Sequence, residues 1–188
     1  MIPAGYPKEL ERRVVLADGS PVHVRPIRAS DADGLTALYD RLGRQTAYRR
    51  FFTVMQRLPP DWAKFLATVD YRRRLALVAV SQPDREGDII AVARYEPAGP
   101  PAVAEVAFVV QDAWQNRGLG TVLFRMLLAA AHARGINEFQ ASVLADNSGM
   151  LRLIRRLTDV REQRIESGVV ELRFVARSTV DGAERPEV

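Results

Sequence analysis

The chemistry that this sequence supports starts from one carboxylate and two glycines. Glu105 stands alone among apolar residues in Val103-Ala104-Glu105-Val106-Ala107-Phe108-Val109. Such a group suits general-base work on an amine. A lysine-type ammonium, with a pKa of ~10.4, is free base in only about one molecule in a few thousand at neutral pH. A carboxylate acting directly or through water contributes ~10²–10⁴ in rate. Period-two alternation puts Glu105, Ala107 and Val109 on one strand face, and partial burial there would raise the Glu105 pKa toward a useful value. The plainer reading is a strand-edge glutamate in water, or one paired with an arginine such as Arg94. Glu96, near a strand end, is a weaker candidate base, and Asp112 reads as a loop cap.

The glycines are Gly118 and Gly120 in Val109-Val110-Gln111-Asp112-Ala113-Trp114-Gln115-Asn116-Arg117-Gly118-Leu119-Gly120-Thr121. A strand ends, a short loop follows, and an amphipathic helix begins at Gly118 or Leu119. The first turn of a helix has unpaired N–H groups and a partial positive charge, so it holds anions. Glycines there remove side chains that would keep a pyrophosphate from those donors. Arg117 adds a permanent charge, and the Thr121 hydroxyl is a further donor. Two glycines alone fit a tight strand-to-helix connection equally well. The stretch is not Gly-x-Gly-x-x-Gly, because residue 123 is Leu, nor a Walker loop, which requires Lys-Ser or Lys-Thr after the second glycine.

The elements that position these groups follow from apolar periodicity. Asp18-Gly19 between Val14–Leu16 and Val22–Pro26 predicts a hairpin. Ser30 or Asp31 is placed to cap a helix that buries Leu35, Leu38 and Leu42. Short helices are expected over Thr46–Phe52 and after Pro59-Pro60-Asp61, the latter carrying Trp62, Phe65 and Leu66. Leu75–Val80 is apolar throughout, as in a strand buried on both faces. A loop from Ser81 to Asp88 leads to strands at Ile89–Tyr95 and Val103–Val110. A helix over 118–134 follows, with Leu119, Val122, Leu123, Met126, Leu127 and Ala130 on its buried face and Gly135 as its stop. A strand at Phe139–Leu144, a helix near 148–157 and strands near 160–165 and 169–176 close the order. The reading is one mixed α/β domain over 1–177, with a disordered tail over 178–188.

Composition narrows the classes. The chain has 188 residues, 47% of them hydrophobic, and no apolar run near the ~18 that span a bilayer. Met1–Leu10 lacks the basic-then-apolar layout of a signal peptide, so a cytoplasmic location away from membranes is expected. The absence of cysteine excludes disulfides, thiolate zinc sites and a cysteine nucleophile, and no metal is expected. The net charge of +4 comes from 27 basic and 23 acidic residues, with lysine only at Lys8 and Lys64. That arginine excess reads as coding bias. The densest cluster, Arg72-Arg73-Arg74, lacks the stripe and interleaved aromatics of a nucleic-acid surface. A modest positive field does suit an anionic cofactor.

Gln115-Asn116-Arg117-Gly118-Leu119-Gly120 resembles the Gln/Arg-x-x-Gly-x-Gly/Ala loop that binds the coenzyme A pyrophosphate in GNAT acetyltransferases. Gly135-Ile136, the strand Ala141–Leu144, Ala145-Asp146-Asn147 and the short helix after them match the order in that family. The resemblance implies a GNAT fold: a central mixed, largely antiparallel sheet, splayed at one point, with helices on both faces. It implies acetyl-CoA as donor substrate, held by Gln115, Asn116, Arg117, Gly118, Leu119, Gly120 and Thr121. Backbone groups of Val109 and Val110, together with Asn147, would line the pantetheine arm. Asn147 is equally placed to cap the following helix. Glutamate on this strand is the usual general base of the family, which favours Glu105. The family's tyrosine on the short helix, which protonates the leaving thiolate, is replaced by Ile154 within Leu153-Ile154-Arg155-Arg156-Leu157-Thr158-Asp159, so no general acid is assigned.

Val24-Arg25-Pro26-Ile27-Arg28-Ala29-Ser30-Asp31-Ala32, Tyr48-Arg49-Arg50-Phe51-Phe52, Val69-Asp70-Tyr71 and Ala91–Tyr95 look like the catalytic domain of bacterial Pat-type protein lysine acetyltransferases. Packing on a helix face, with solvated arginines, accounts for Arg49–Phe52 equally well. The resemblance implies transfer to a protein lysine, with acyl-CoA synthetases as typical targets and no fused sensor domain. A small amine as acceptor, and a non-catalytic acyl-CoA-binding module, are the competing readings.

Overall fold

The computed structural model describes residues 5–81 and 87–177. The tail expected over 178–188 and most of the loop expected from Ser81 to Asp88 lie outside the described residues. Along the chain run β1 (Arg12–Val15), β2 (Pro21–Pro26), α1 (Ala32–Asp40), α2 (Arg44–Phe51), α3 (Pro60–Ala67), β3 (Leu75–Ser81), β4 (Ile89–Pro97), β5 (Val103–Val110), α4 (Leu119–His132), β6 (Glu138–Leu144), α5 (Ser148–Leu157), β7 (Thr158–Glu166) and β8 (Val169–Ala176). The eight strands form one sheet in the order β1-β2-β3-β4-β5-β6-β8-β7. Neighbours are antiparallel except β5 and β6, which run parallel. Among the described residues no helix is long and apolar enough to cross a membrane.

β3 shows why the sheet carries helices on both faces. Every residue from Leu75 to Val80 is buried, because its two side-chain rows feed two cores. Leu75, Leu77 and Ala79 join Leu123, Phe124 and Leu127 of α4, while Ala76, Val78 and Val80 join Leu35 and Leu38 of α1. Phe124 and Phe139 both pack edge-on or stacked against Phe174, at 6.1 and 5.9 Å between ring centres. Each fully buried ring contributes ~2–3 kcal/mol of transfer free energy. Gly135, at φ +78°, turns the chain out of α4 where a side chain would be strained.

Asp31 precedes α1 as expected, but its carboxylate does not cap that helix. It takes both Arg25 Nη atoms at 2.7 and 2.8 Å and the Arg28 N–H at 2.7 Å. Arg25 and Asp31 are both largely buried, and a buried guanidinium needs a counter-charge more than a helix end needs a cap.

β5 and β6 pair over only Val103↔Glu138, Ala104↔Phe139 and Glu105↔Gln140. Beyond that, β5 stays on β4 and β6 on β8, so a wedge opens between them. The Gln111 N–H bonds to Ile90 O at 2.9 Å, which sets the phase of the β4–β5 ladder. By antiparallel alternation, Ala107 and Val109 turn their backbone groups toward β4, and Val106, Phe108 and Val110 turn theirs into the wedge. Val109 therefore does not offer backbone groups to the wedge, contrary to expectation. Val110 does.

Candidate active site

A cleft of about 970 Å³ runs along the wedge. Glu105 lines it near the start of β5, and Asn116, Gly118 and Gly120 line it beyond the end of the same strand. The carboxylate and the anion loop thus share one cavity. Glu105 is exposed to the cleft rather than partly buried, because β6 leaves β5 just after the Glu105↔Gln140 pair. It is not paired with Arg94 either. Arg94 is buried and gives its guanidinium to Glu96, which also holds Arg74 at 2.5 Å. Burial works to raise the Glu96 pKa, but the bonds and charges of Arg74 and Arg94 prevail and hold it below the usual carboxylate range. Glu96 is opposite Glu105 in the ladder, yet it is committed to two arginines and unsuited to take a proton. Arg50, on α2, is half-buried beside these groups. Burial, then the charge of Arg94, lower its pKa to about 10, with Glu105 and Glu96 acting in the opposite direction.

At the other end of the cleft, Gly118 takes φ +87° immediately before α4, and Asn116 takes φ +60°. These left-handed residues, a glycine and an asparagine that both tolerate the conformation, bend the loop so that the first turn of α4 faces the cavity. Gly120 has ordinary helical geometry, and a Cβ there would lie 3.6 Å from Leu153 Cδ2. Gln115 donates through Nε2 to Val110 O at 2.9 Å and to Thr46 Oγ1 at 3.3 Å, so the Val110 carbonyl faces away from β4 and is already satisfied by the loop. Thr121 also lines the cleft.

Two residues of the loop lie elsewhere. Arg117 reaches Asp18 Oδ2 in the β1–β2 turn at 2.7 Å and lies over the Trp114 ring, so its charge is directed away from the cavity. Leu119 is 1% exposed and belongs to the core. The cations that do line the cleft near the loop are Arg152 and Arg156 on α5. Arg156 donates to Thr121 Oγ1 at 2.6 Å, which fixes its guanidinium at the mouth of α4. Their spacing of four residues was the available signal. In a helix whose buried residues are Leu151 and Ile154, it reads as a solvent face until the wedge shows where that face looks.

Asn147 does cap α5, accepting from the Met150 N–H at 3.2 Å, and it also lines the cleft. Ile154 is fully buried, so the position matched to the family's tyrosine faces the core. Asp112 accepts from the Gly43 N–H at 2.8 Å and from Thr46 Oγ1 at 2.7 Å. Burial opposes the shift, but these two donors hold its carboxyl below the usual range. It ties the start of α2 to the loop, and Arg49 on α2 crosses to Asp146 at 3.4 Å. Among the described residues no cluster of His, Asp or Glu is grouped to hold a metal ion.

Comparisons with known proteins agree with this geometry. Residues 22–158 match the family model described as an acetyltransferase (GNAT) domain. A protein of Mycolicibacterium smegmatis named acetyltransferase Pat is 34% identical over 147 residues, covering 77% of this chain and 43% of that protein. The chain thus spans less than half the length of that relative. An acetyltransferase of Pseudomonas aeruginosa named PA5475 is 29% identical, covering 72% of this chain and 73% of that one. Among solved structures, the GNAT domain of S. lividans PAT superposes with a TM-score of 0.81 at 36% identity, covering 90% of this chain and 99% of that one.

Proposed function

Because this chain belongs to the GNAT acetyltransferase family, we propose that it transfers an acetyl group from acetyl-CoA to a lysine side chain of a protein, with Glu105 as general base. The observation that carries this reading is the single cleft holding an unpaired carboxylate at one end and the glycine-bearing start of a helix at the other. The anionic end of the donor suits the free N–H groups of α4 and the guanidinium of Arg156. The pantetheine arm suits the wedge, where Val106, Phe108 and Val110 offer backbone groups as an edge strand does. The two arms of the cleft then bring the thioester to the Glu105 side of β5.

The acceptor ammonium gives a proton to Glu105, directly or through water. The neutral amine nitrogen attacks the thioester carbonyl carbon and the C–N bond forms; as the tetrahedral adduct collapses the C–S bond breaks and the nitrogen gives its second proton to water. Backbone N–H groups of the wedge polarise the carbonyl as charge develops on its oxygen. Ile154 is buried and no general acid is assigned, so in this reading the coenzyme A thiolate takes its proton from water. A protein acceptor is supported by the Pat-named relatives, and an acyl-CoA synthetase is the first target to try.

The test is radiolabelled acetyl transfer from acetyl-CoA to purified acyl-CoA synthetase, to lysate protein and to a panel of small amines, with Glu105→Gln beside the wild type. Labelled protein that falls ~10²–10⁴-fold in the variant, at unchanged acetyl-CoA affinity, is the expected result. Label confined to small amines would overturn the protein acceptor. Donor binding with no transfer to any acceptor would overturn the enzyme.

A further inference from the structure

A carboxylate base creates an electrostatic difficulty for itself. An opposite charge nearby favours the charged form of a group, so Glu105 alone would hold the acceptor as an ammonium ion pair. Attack on the thioester requires the free amine. A second charge, positive and close to Glu105, would oppose that attraction.

Arg50 is placed to supply it. α2 packs against β5, and Arg50 and Glu105 line the same cleft. The charge of Glu105 acts on Arg50, as do those of Arg94 and Glu96 on β4. Arg94 and Glu96 bond to each other, and Glu96 also holds Arg74. On α2 itself Arg49 pairs with Asp146. From α3 the cleft is lined by Trp62, Phe65 and Leu66, and Tyr39 on α1 gives its hydroxyl to Met55 O at 2.8 Å. Arg152 and Arg156 line the cleft from α5, with Arg156 bonded to Thr121.

Arg50 differs from these neighbours in having no hydrogen bond or ion pair with any described residue. Its guanidinium lies 4.9 Å from the centre of the Phe51 ring. The buried side-chain nitrogens without a partner among the described residues are Arg28 Nε and Arg49 Nε. Arg50 is not with them, so its guanidinium is unpartnered without being sealed off. Burial and Arg94 lower its pKa to about 10, which leaves it charged at neutral pH. An unpaired charge in such a place does not favour the fold, and stability given up in a cleft is a mark of function.

We propose that Arg50 sets the protonation state of the acceptor: its charge offsets the pull of Glu105 on the ammonium, so that the amine stands at Glu105 as the free base. The proposal rests on Glu105 as the general base of acetyl transfer. Arg50 is a positioning residue, acting on the proton through Glu105. The N–H bond of the ammonium breaks with its electron pair kept on nitrogen, and the proton passes to Glu105 and on to water. With the proton gone, one carboxylate faces one guanidinium; with the ammonium present, two cations would crowd one anion. Arg74 and Arg94 outnumber Glu96, which adds to the same effect.

The test follows kcat and KM for the acceptor from about pH 6 to 9.5, where Arg50 keeps its charge. Wild type, Arg50→Met, Arg50→Lys and Glu105→Gln are compared, with purified acyl-CoA synthetase and a lysine peptide as acceptors. The kcat profile reports ionisation in the bound complex. In Arg50→Met its rise with pH should move up by about one unit or more, lowering kcat about tenfold at pH 7. The acceptor KM should fall as well, because an unopposed Glu105 holds the ammonium more tightly. Arg50→Lys, which keeps the charge, should restore the profile at pH 7. Acetyl-CoA affinity and the urea midpoint of Arg50→Met should be no lower than those of the wild type. A fall in both would make Arg50 a structural residue and overturn the proposal. So would a raised KM, which would mark a site for an acceptor anion, or an equal loss of kcat at every pH, which would direct Arg50 to the thioester carbonyl. Unshifted Arg50 variants beside an inactive Glu105→Gln would overturn this proposal alone. Full activity in Glu105→Gln, or no transfer by the wild type, would overturn the base reading and this proposal with it.

Discussion

Arg117 lies next to Gly118 in sequence and Arg156 lies far from it, yet it is Arg156 whose guanidinium stands at the start of α4. Arg117 is drawn to Asp18 because the β1–β2 turn approaches the loop from outside the cavity: the Ala17 N–H reaches Arg117 O at 3.4 Å. Nothing local to residues 115–121 announces that approach, so position in the motif overstated Arg117. Leu119 was legible only as a helix residue, and the helix period that recognised it also buries it. Glu105, Gly118, Gly120 and Asn147 were legible because each is an exception to its surroundings. Arg152 and Arg156 were not, since charges opposite an apolar stripe are the rule on a surface helix. The two arginines make a clear comparison. Arg156→Ala should weaken acetyl-CoA binding about tenfold, the scale of one charge-assisted hydrogen bond. Arg117→Ala should change it by less than about threefold, since its charge is directed to a solvent-exposed partner. Isothermal titration calorimetry of both variants decides the matter, and a larger loss in Arg117→Ala would return that residue to the binding loop.

Among the elements, the start of α4 bears the most on donor binding, and its two glycines answer different demands. Gly118 is a backbone requirement, because φ +87° strains any other residue even though a Cβ would find open space. Gly120 is a clearance requirement, with helical geometry that any residue adopts. A carboxylate at Gly120→Asp would sit in the first turn of α4, where the helix dipole favours negative charge by ~0.3–1 kcal/mol. The variant should therefore fold at least as stably as the wild type while binding acetyl-CoA more weakly by about tenfold or more, from like-charge repulsion. Urea unfolding and donor titration would show the two changes moving in opposite senses. Unchanged donor affinity would remove the phosphate assignment. The elements themselves were largely legible, as β3 and α5 show: six consecutive apolar residues are short for a helix and suit a strand between two layers, and Ser148–Leu157 begins at an asparagine cap and buries Leu151 and Ile154. The phase of β5 was not legible. Period two identifies the residues that share a face, but only the pairing with β4 decides whether Val109 or Val110 turns its backbone into the wedge.

For the molecule as a whole, the ionisable groups tied into the fold set a window of pH. Glu11, Glu96 and Asp112 are held below the usual carboxylate range. Burial pushes Tyr71 up, and it pushes Tyr6 and Tyr95 up to about 12. A depressed carboxylate stabilises the fold fully above its unfolded value of ~4 and loses that contribution as pH falls through its folded value. A raised tyrosine does the reverse: its contribution is complete below its unfolded value of ~10 and is lost as pH rises toward its folded value. Burial also lowers the His23 pKa from its ordinary 6.5, so stability should be flat only from about pH 7.5 to 9, decline as pH falls through ~6.5 and further below ~4, and fall on the alkaline side. Tyr95 allows the alkaline side to be isolated, because it is fully buried and donates to Arg72 O at 2.8 Å. A shift from ~10 to about 12 corresponds to about 3 kcal/mol withdrawn across that interval. Tyr95→Phe gives up the hydrogen bond, about 1 kcal/mol, and leaves a buried carbonyl to find water, but it has no proton to lose. The variant should be the less stable protein at pH 7 and the more stable one near pH 12, so that urea midpoints plotted against pH cross. Curves that stay parallel would show that Tyr95 does not titrate with unfolding, and would assign the alkaline limit to Tyr6 and Tyr71, where the amino-terminal turn packs on the sheet with ring centres 5.6 Å apart.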